Sequence, residues 1–111
     1  MHHLSSEYEL LDTNTSSAVS DPVDVNGYHS ITAYIEPVSG THTTHVVQVE
    51  ISADPDAINN PGTVQWFSPS GTSLLQAPTY VTFEDNAEAI RFRVSTPEGA
   101  ASQCNVKVIA S

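Results

Sequence analysis

The feature that most constrains this sequence is a two-residue alternation of apolar and polar side chains along most of its length. Ile31, Ala33 and Ile35 alternate with polar neighbours, and the pattern recurs in segments 47–52, 90–95 and 104–109. Successive side chains of a strand point to opposite faces, so each segment predicts a strand with one buried face. Weaker candidates are segments 7–12, 23–26, 63–68 and 80–84, which brings the expected total to about eight short strands.

Glycine and proline separate these segments and support the same interpretation. The turn candidates are Asn26-Gly27, Ser39-Gly40, Pro61-Gly62, Ser70-Gly71 and Glu98-Gly99. Such residues favour turns, and no long stretch carries apolar residues at helical spacing. For a chain of 111 residues this predicts one all-β domain over 1–111, an antiparallel β-sandwich of jelly-roll or immunoglobulin-like order. Residues 1–6 are expected to be a flexible start.

Charge and cysteine content exclude several classes of protein. Thirteen acidic and three basic residues give a formal net charge of −10, which disfavours nucleic acid and anionic membrane surfaces as partners. The single cysteine excludes an internal disulfide and a multi-cysteine zinc site. The segment 1–5 has neither the basic nor the apolar part of a signal peptide, so synthesis in a cytoplasm is expected.

The inward positions of the predicted strands define an expected core. These residues are Tyr8, Leu10, Val25, Ile31, Ala33, Ile35, Val47, Val49, Ile51, Val81, Phe83, Ile90, Phe92, Val94, Cys104, Val106 and Val108. Segment 89–95 is predicted to pair antiparallel with 103–109 around Gly99, which places Cys104 opposite Val94. In a jelly roll these two strands would instead lie in different sheets, and the sequence leaves that alternative open.

The candidates for chemistry are sparse. His42 and His45 are three residues apart, but zinc needs three or four converging ligands, and the Cys104 thiol is expected to be buried far from them. The polar segment 54–60 lacks the spacing of a helix–loop–helix calcium site. The acidic residues Glu50, Glu84, Asp85 and Glu88 have no predicted cleft between them. We therefore expect no catalytic residue, no metal, no cofactor and no enzyme activity.

The three basic residues have the most unusual placement. The predicted C-terminal register puts Arg91, Arg93 and Lys107 on one outer patch, where like charges destabilise a sheet unless acids answer them. The acids could lie on a neighbouring strand of the same chain or on another subunit. The second alternative makes Arg91, Arg93 and Lys107 a candidate subunit interface.

Aromatic side chains offer a different kind of surface. They are Tyr28, Tyr34, Trp66, Phe67 and Tyr80. An exposed row of such rings would suit carbohydrate, because the apolar C–H faces of sugars pack on π surfaces. Rings buried in the core or in subunit contacts would instead indicate a structural role, and the strand alternation favours packing.

A distinctive order of segments runs through residues 16–111: Ser16–Val19, Val23–Tyr28, Ser30–Thr32, Ser39–Thr41, Val47–Asp54, Trp66, Ala89–Val94 and Val106–Ser111. This order resembles that of the small β-sandwich domains of tailed-bacteriophage virion proteins. Such domains occur as capsid decoration proteins, head fibres and tail accessory modules. The segment 55–62 departs from their pattern as an inserted loop.

The resemblance implies a non-enzymatic structural protein of the virion, foremost a capsid decoration (cement) protein. It implies a homo-oligomer, for which a trimer is one arrangement, bound to the major capsid protein or another virion protein. The alternative is a carbohydrate- or receptor-binding sandwich module of a phage tail or fibre.

Overall fold

The structure is a computed structural model that describes residues 4–5 and 9–111, and these residues form strands and turns without a helix. The nine strands are β1 (Leu4–Ser5), β2 (Glu9–Asp12), β3 (Val23–Asp24), β4 (Ile31–Gly40), β5 (Val46–Ser52), β6 (Ser73–Leu75), β7 (Thr79–Phe83), β8 (Ala89–Thr96) and β9 (Ser102–Ala110). The all-β prediction is confirmed.

The strands form two antiparallel sheets in jelly-roll order. Sheet A has the order β2-β9-β4-β7, and sheet B has the order β3-β8-β5-β6. Strand β1 also pairs with β9, on the same edge as β2 but nearer the C-terminal end of β9. From β2 onward, the chain changes sheet at every connection except the one between β5 and β6. This order, with sheets of four principal strands, is that of a double-sheet jelly roll. The structure thus selects the jelly roll from the two predicted strand orders.

The predicted C-terminal hairpin is wrong. β8 pairs with β3 and β5 in sheet B, whereas β9 pairs with β4 and the two N-terminal strands in sheet A. Cys104 therefore lies beside Pro37 and Leu11, and not beside Val94. The inward alternation of both strands survives, because the inner faces of the two sheets enclose the same core.

The expected core is largely confirmed. The buried residues among those predicted are Val25, Ile31, Ala33, Ile35, Val47, Val49, Ile90, Phe92, Val94, Cys104, Val106 and Val108, and half-buried Ile51, Val81 and Phe83 pack against them. The predicted burial of Leu10 is wrong, because Leu10 is 57% exposed and its neighbour Leu11 is buried instead. Two adjacent leucines leave the inward position of β2 undecided in the sequence, and pairing of Leu11 with Cys104 decides it. Tyr8 lies outside the described residues.

Two segments depart from the predicted strand map. Segment 63–68 forms only an isolated bridge, in which Phe67 pairs with Ile51. β6 was not predicted, because Ser73–Leu75 is too short to show an alternation. Its central residue Leu74 is nevertheless buried in the core.

We predict that Phe92→Ala lowers the free energy of unfolding by about 3–5 kcal/mol. Phe92 is 1% exposed and is the largest fully buried side chain, so its removal leaves a cavity in the core. Chemical denaturation measures the change. The matched control is Phe67→Ala, which truncates a ring that is 60% exposed and should change the free energy by less than about 0.5 kcal/mol. Equal stability of the two variants would contradict the inward assignment of Phe92.

Candidate functional site

Three potential metal ligands converge at one end of the sandwich. His42 and His45 lie in the loop between β4 and β5, and Cys104 lies near the start of β9. His42 Nδ1 is 3.2 Å from His45 Nε2, and the Cys104 Sγ atom is 3.6 Å from the first nitrogen and 4.0 Å from the second. His45 and Cys104 are fully buried and His42 is half-buried. The expectation that the thiol lies far from these histidines is wrong.

The loop that carries the histidines is held by one carboxylate. Glu98, in the loop between β8 and β9, accepts hydrogen bonds from the amides of Thr43, Thr44 and His45 at 2.9–3.2 Å. The Thr43 and Thr44 hydroxyls donate to its other oxygen at 2.8 and 3.0 Å. These bonds, led by the Thr44 amide, lower the pKa of Glu98 to about 2. The buried carboxylate therefore stays ionised and fixes the loop backbone.

A glycine sets the path by which the chain enters this loop. Gly40 ends β4 with a φ of +84°, a conformation that L side chains rarely adopt. A Cβ atom at this position would also collide with the carbonyl oxygen of Ala101. The turn at Gly40 brings the loop back over Cys104, since β4 pairs with β9 up to Gly40 and Ser102.

The polar atoms of the cluster are incompletely paired within the described structure. Ala77 N donates to His45 Nε2 at 3.3 Å, a long contact for a hydrogen bond. His42 Nε2 and His45 Nδ1 are buried without a hydrogen-bond partner. Burial lowers the pKa of His45 and His42 lowers it further, while Glu98 opposes this shift. Burial raises the pKa of the Cys104 thiol, which disfavours the reactive thiolate.

The basic residues of the candidate interface separate onto two sheets. Arg91 Nε and Arg93 Nε donate to the two carboxylate oxygens of Glu50 at 2.8 and 2.9 Å, across the β5–β8 ladder of sheet B. Lys107 lies in sheet A beside Tyr34. The prediction that the three basic residues share one patch is therefore wrong, because it depended on the β8–β9 hairpin. An acid of the same chain answers the arginines, and their role in a subunit interface stays a prediction.

Segment 63–68 covers this ion pair instead of forming a strand. The guanidinium of Arg91 lies over the Trp66 ring, 4.2 Å from its centroid, and Trp66 Nε1 donates to the carbonyl of Pro61 at 2.9 Å. This cover leaves Glu50 only 7% exposed, although it points away from the sandwich core. The cluster of Glu50, Arg91 and Trp66 thus has a structural explanation in which an apolar ring shields the ions.

An exposed aromatic pair marks the outer face of sheet A. Tyr34 and Tyr80 stack with ring centroids 5.5 Å apart, and Tyr80 is 65% exposed. The rings line a shallow cleft together with Pro78, Lys107 and Ile109. Both tyrosines are among the aromatic candidates of the sequence analysis, in which strand alternation favours rings packed in the core or in subunit contacts. Only the β4–β7 pairing, which sets Tyr34 opposite Tyr80, places the two rings together outside the core.

We predict that the double variant Arg91→Ala/Arg93→Ala is destabilised by about 3 kcal/mol, because it leaves the buried Glu50 carboxylate without a cation. Adding Glu50→Gln to the double variant removes that charge and should restore much of the lost free energy of unfolding. Denaturant unfolding of the wild type, double and triple variants measures both effects. A double variant as stable as the wild type would show that the ion pair contributes nothing.

We predict an acid-sensitive contribution from Glu98. Its folded pKa of about 2 lies below the ordinary value of 4.5, so its stabilising effect is complete above pH 4.5 and disappears as the pH falls towards 2. Stability measured across that window should fall more steeply in the wild type than in Glu98→Gln. The exposed Glu84→Gln variant is the control and should follow the wild type. Parallel curves for wild type and Glu98→Gln would contradict the prediction.

Comparison with known proteins bears on the fold. No known family and no curated protein matches the sequence. The crystal structure of YomS, a protein derived from the SPBc2 prophage, is similar to this chain with a TM-score of 0.58 and 17% identity. The match covers 98% of this chain and 92% of YomS. Among the described residues, no helix has the length and apolar character needed to cross a membrane. At this identity the similarity establishes a shared fold over nearly the whole chain.

Proposed function

We propose that this chain is a non-enzymatic structural protein of a tailed-bacteriophage virion, and that it decorates the capsid. The observation that carries the proposal is the jelly-roll fold shared with a prophage-derived protein over nearly the whole length of both chains. The sequence resemblance to phage virion sandwiches supports it independently of that comparison. Double-sheet jelly rolls are common in viral capsid proteins, where shape and edges make the contacts.

The surface suited to a particle contact lies along one side of the sandwich. β6 and β7 end their sheets on neighbouring edges, and each pairs with one strand in the described structure. Leu75 on β6 is 57% exposed and Tyr80 on β7 is 65% exposed. Sheet edges offer unpaired backbone groups, and protein interfaces are enriched in aromatic side chains. This side, with the Tyr34–Tyr80 cleft, is our proposed contact surface.

Charge is consistent with that role. Lys107 lines the cleft and is therefore a candidate contact residue of this surface. Arg91 and Arg93 lie on the other sheet, where they pair with Glu50. The net charge of −10 keeps many copies soluble before assembly. The proposed partner is the major capsid protein or another virion protein, and the proposed assembly is a homo-oligomer such as a trimer, made in the host cytoplasm.

One observation favours a second candidate function. The Tyr34–Tyr80 pair is an exposed aromatic surface beside the polar groups of Glu36 and Lys107. Stacked rings with polar neighbours can hold a sugar ring, and lectin domains also use the jelly roll. The second candidate is therefore a carbohydrate- or receptor-binding module of a phage tail or fibre.

Two measurements test the proposal. Mass spectrometry of purified particles of the source phage should detect this polypeptide, and the purified chain should bind particles that lack it. We expect Tyr34→Ser/Tyr80→Ser to weaken particle binding at least about tenfold, since interface aromatics often contribute more than 1.4 kcal/mol. Phe67→Ala removes an exposed ring on the other sheet and is the matched control.

The outcomes separate the two functions. Binding to particles without binding to a glycan array supports decoration. Glycan binding that is lost in Tyr34→Ser/Tyr80→Ser, with no affinity for capsids, supports the recognition module. Absence of the polypeptide from particles, together with no binding to them, would contradict a virion role.

A further inference from the structure

We propose that His42, His45 and Cys104 form a binding site for one borderline or soft transition-metal ion, with Zn²⁺ as its representative. The ligand atoms would be His42 Nδ1, His45 Nε2 and Cys104 Sγ, which all lie within 4.8 Å of one another. The site joins the loop between β4 and β5, where the chain crosses between sheets, to strand β9 of sheet A. Neither the fold similarity nor the proposed virion role requires it.

The distances between the three atoms fit metal coordination. Bonds of about 2.0–2.1 Å to nitrogen and about 2.3 Å to sulfur separate two ligand nitrogens by about 3.3 Å in a tetrahedral site, and a nitrogen from sulfur by about 3.6 Å. The observed separations are 3.2 Å between the nitrogens and 3.6 and 4.0 Å from nitrogen to sulfur. One ion can therefore contact all three atoms with only small movements of the side chains.

Hydrogen bonding alone accounts poorly for the same arrangement. A neutral imidazole has one N–H and one lone pair. If the protons lie on the outer nitrogens, the lone pairs of His42 Nδ1 and His45 Nε2 face each other at 3.2 Å. If His42 Nδ1 carries the proton and donates it to His45, then His42 Nε2 is a buried acceptor without a partner. A cation between the inner nitrogens removes their repulsion in the first arrangement.

The donor types and the local charge suit a soft divalent ion. Imidazole and thiolate together select zinc, copper or cobalt over magnesium and calcium, which prefer oxygen. On binding, the Cys104 S–H bond breaks, its proton passes to solvent, and a sulfur–metal bond forms. Glu98 lies next to this cluster, and the hydrogen-bond donors around its carboxylate are neutral. A divalent ion would be balanced by one thiolate and this carboxylate.

Two features define the limits of the site. Three protein ligands leave a fourth coordination position, where water or another small ligand can bind. The Ala77 amide competes for the lone pair of His45 Nε2, but its contact of 3.3 Å is long and is weak relative to a metal–nitrogen bond. Because its ligands come from the loop between β4 and β5 and from β9, the ion would clamp this loop to β9.

The test is a titration of the reduced, metal-stripped full chain with Co²⁺ and then Zn²⁺. Because His2 and His3 can bind metal by themselves, all proteins carry His2→Ala/His3→Ala. We expect one Co²⁺ per chain, a thiolate-to-cobalt charge-transfer absorption, displacement by Zn²⁺ and a thermal midpoint raised by Zn²⁺. Cys104→Ala and His42→Ala should bind at least about 100-fold more weakly, since even outer-shell changes cost 10–100-fold. His29→Ala, an exposed histidine outside the cluster, is the matched control.

The outcomes decide between a metal site and a neutral hydrogen-bonded cluster. Absence of stoichiometric binding, or unchanged affinity in Cys104→Ala, would overturn the proposal. Binding lost in His42→Ala but kept in Cys104→Ala would reveal an adventitious histidine site and would also overturn it. If Cys104→Ala does not fold, His42→Ala decides, because this half-buried loop residue can be changed without opening the core; its folded state is checked by circular dichroism.

Discussion

The ladder between β4 and β9 organises sheet A and positions both candidate sites. The ladder runs from Ile31 opposite Ala110 to Gly40 opposite Ser102, with one irregularity between Pro37 and Ser39. It forms the centre of sheet A, carries Tyr34 and Lys107 on its outer face, and directs Cys104 into the core. Because Gly40 turns the chain where this ladder ends, the loop with His42 and His45 folds over the thiol. The aromatic cleft and the candidate metal centre thus share one structural element.

The two buried carboxylates show how the chain accommodates charge with very few basic residues. Glu50 is neutralised by two arginines under a tryptophan, whereas Glu98 is stabilised by amides and hydroxyls alone. Each replaces lost hydration with several short hydrogen bonds, as a buried ion requires. Glu50 holds β5 against β8 within sheet B, and Glu98 holds the crossing loop at the end of both sheets.

The two proposals concern separate parts of the molecule and can fail separately. The contact surface lies on the outer face of sheet A and along the β6–β7 edges, while the metal ligands lie inside the end of the sandwich. Tyr34 and Tyr80 belong to β4 and β7, whereas the ligands belong to the loop between β4 and β5 and to β9, so the variants that test one site change no residue of the other. A structural ion would suit a particle protein, because a tethered crossing loop resists local opening without enlarging a small core.

The fold class and most of the core follow from the residue pattern alone, because alternation is a local property of each strand. Ile31, Ala33 and Ile35 could be assigned inward from their own segment, and the same holds for Phe92 and Val94. Where the local pattern was ambiguous, as in Leu10-Leu11, or too short, as in β6, the prediction was wrong or absent. The choice of neighbouring strands depends on packing of the whole chain, since alternation indicates which face is buried and not which strand lies beside it.

The candidate metal site could not be predicted from the sequence, because it depends on which strands are neighbours. A hairpin and a jelly roll bury the same face of β9, so the core prediction tolerated the wrong register. The site prediction failed with the wrong register, because the predicted hairpin paired Cys104 with Val94 and left the histidines far from the thiol. The strand order brought together residues 62 and 59 positions apart in the chain, His42 with Cys104 and His45 with Cys104. The same strand order separates Lys107 from Arg91 and Arg93. Pairing between distant segments depends on how the whole core packs, so no single segment reveals it.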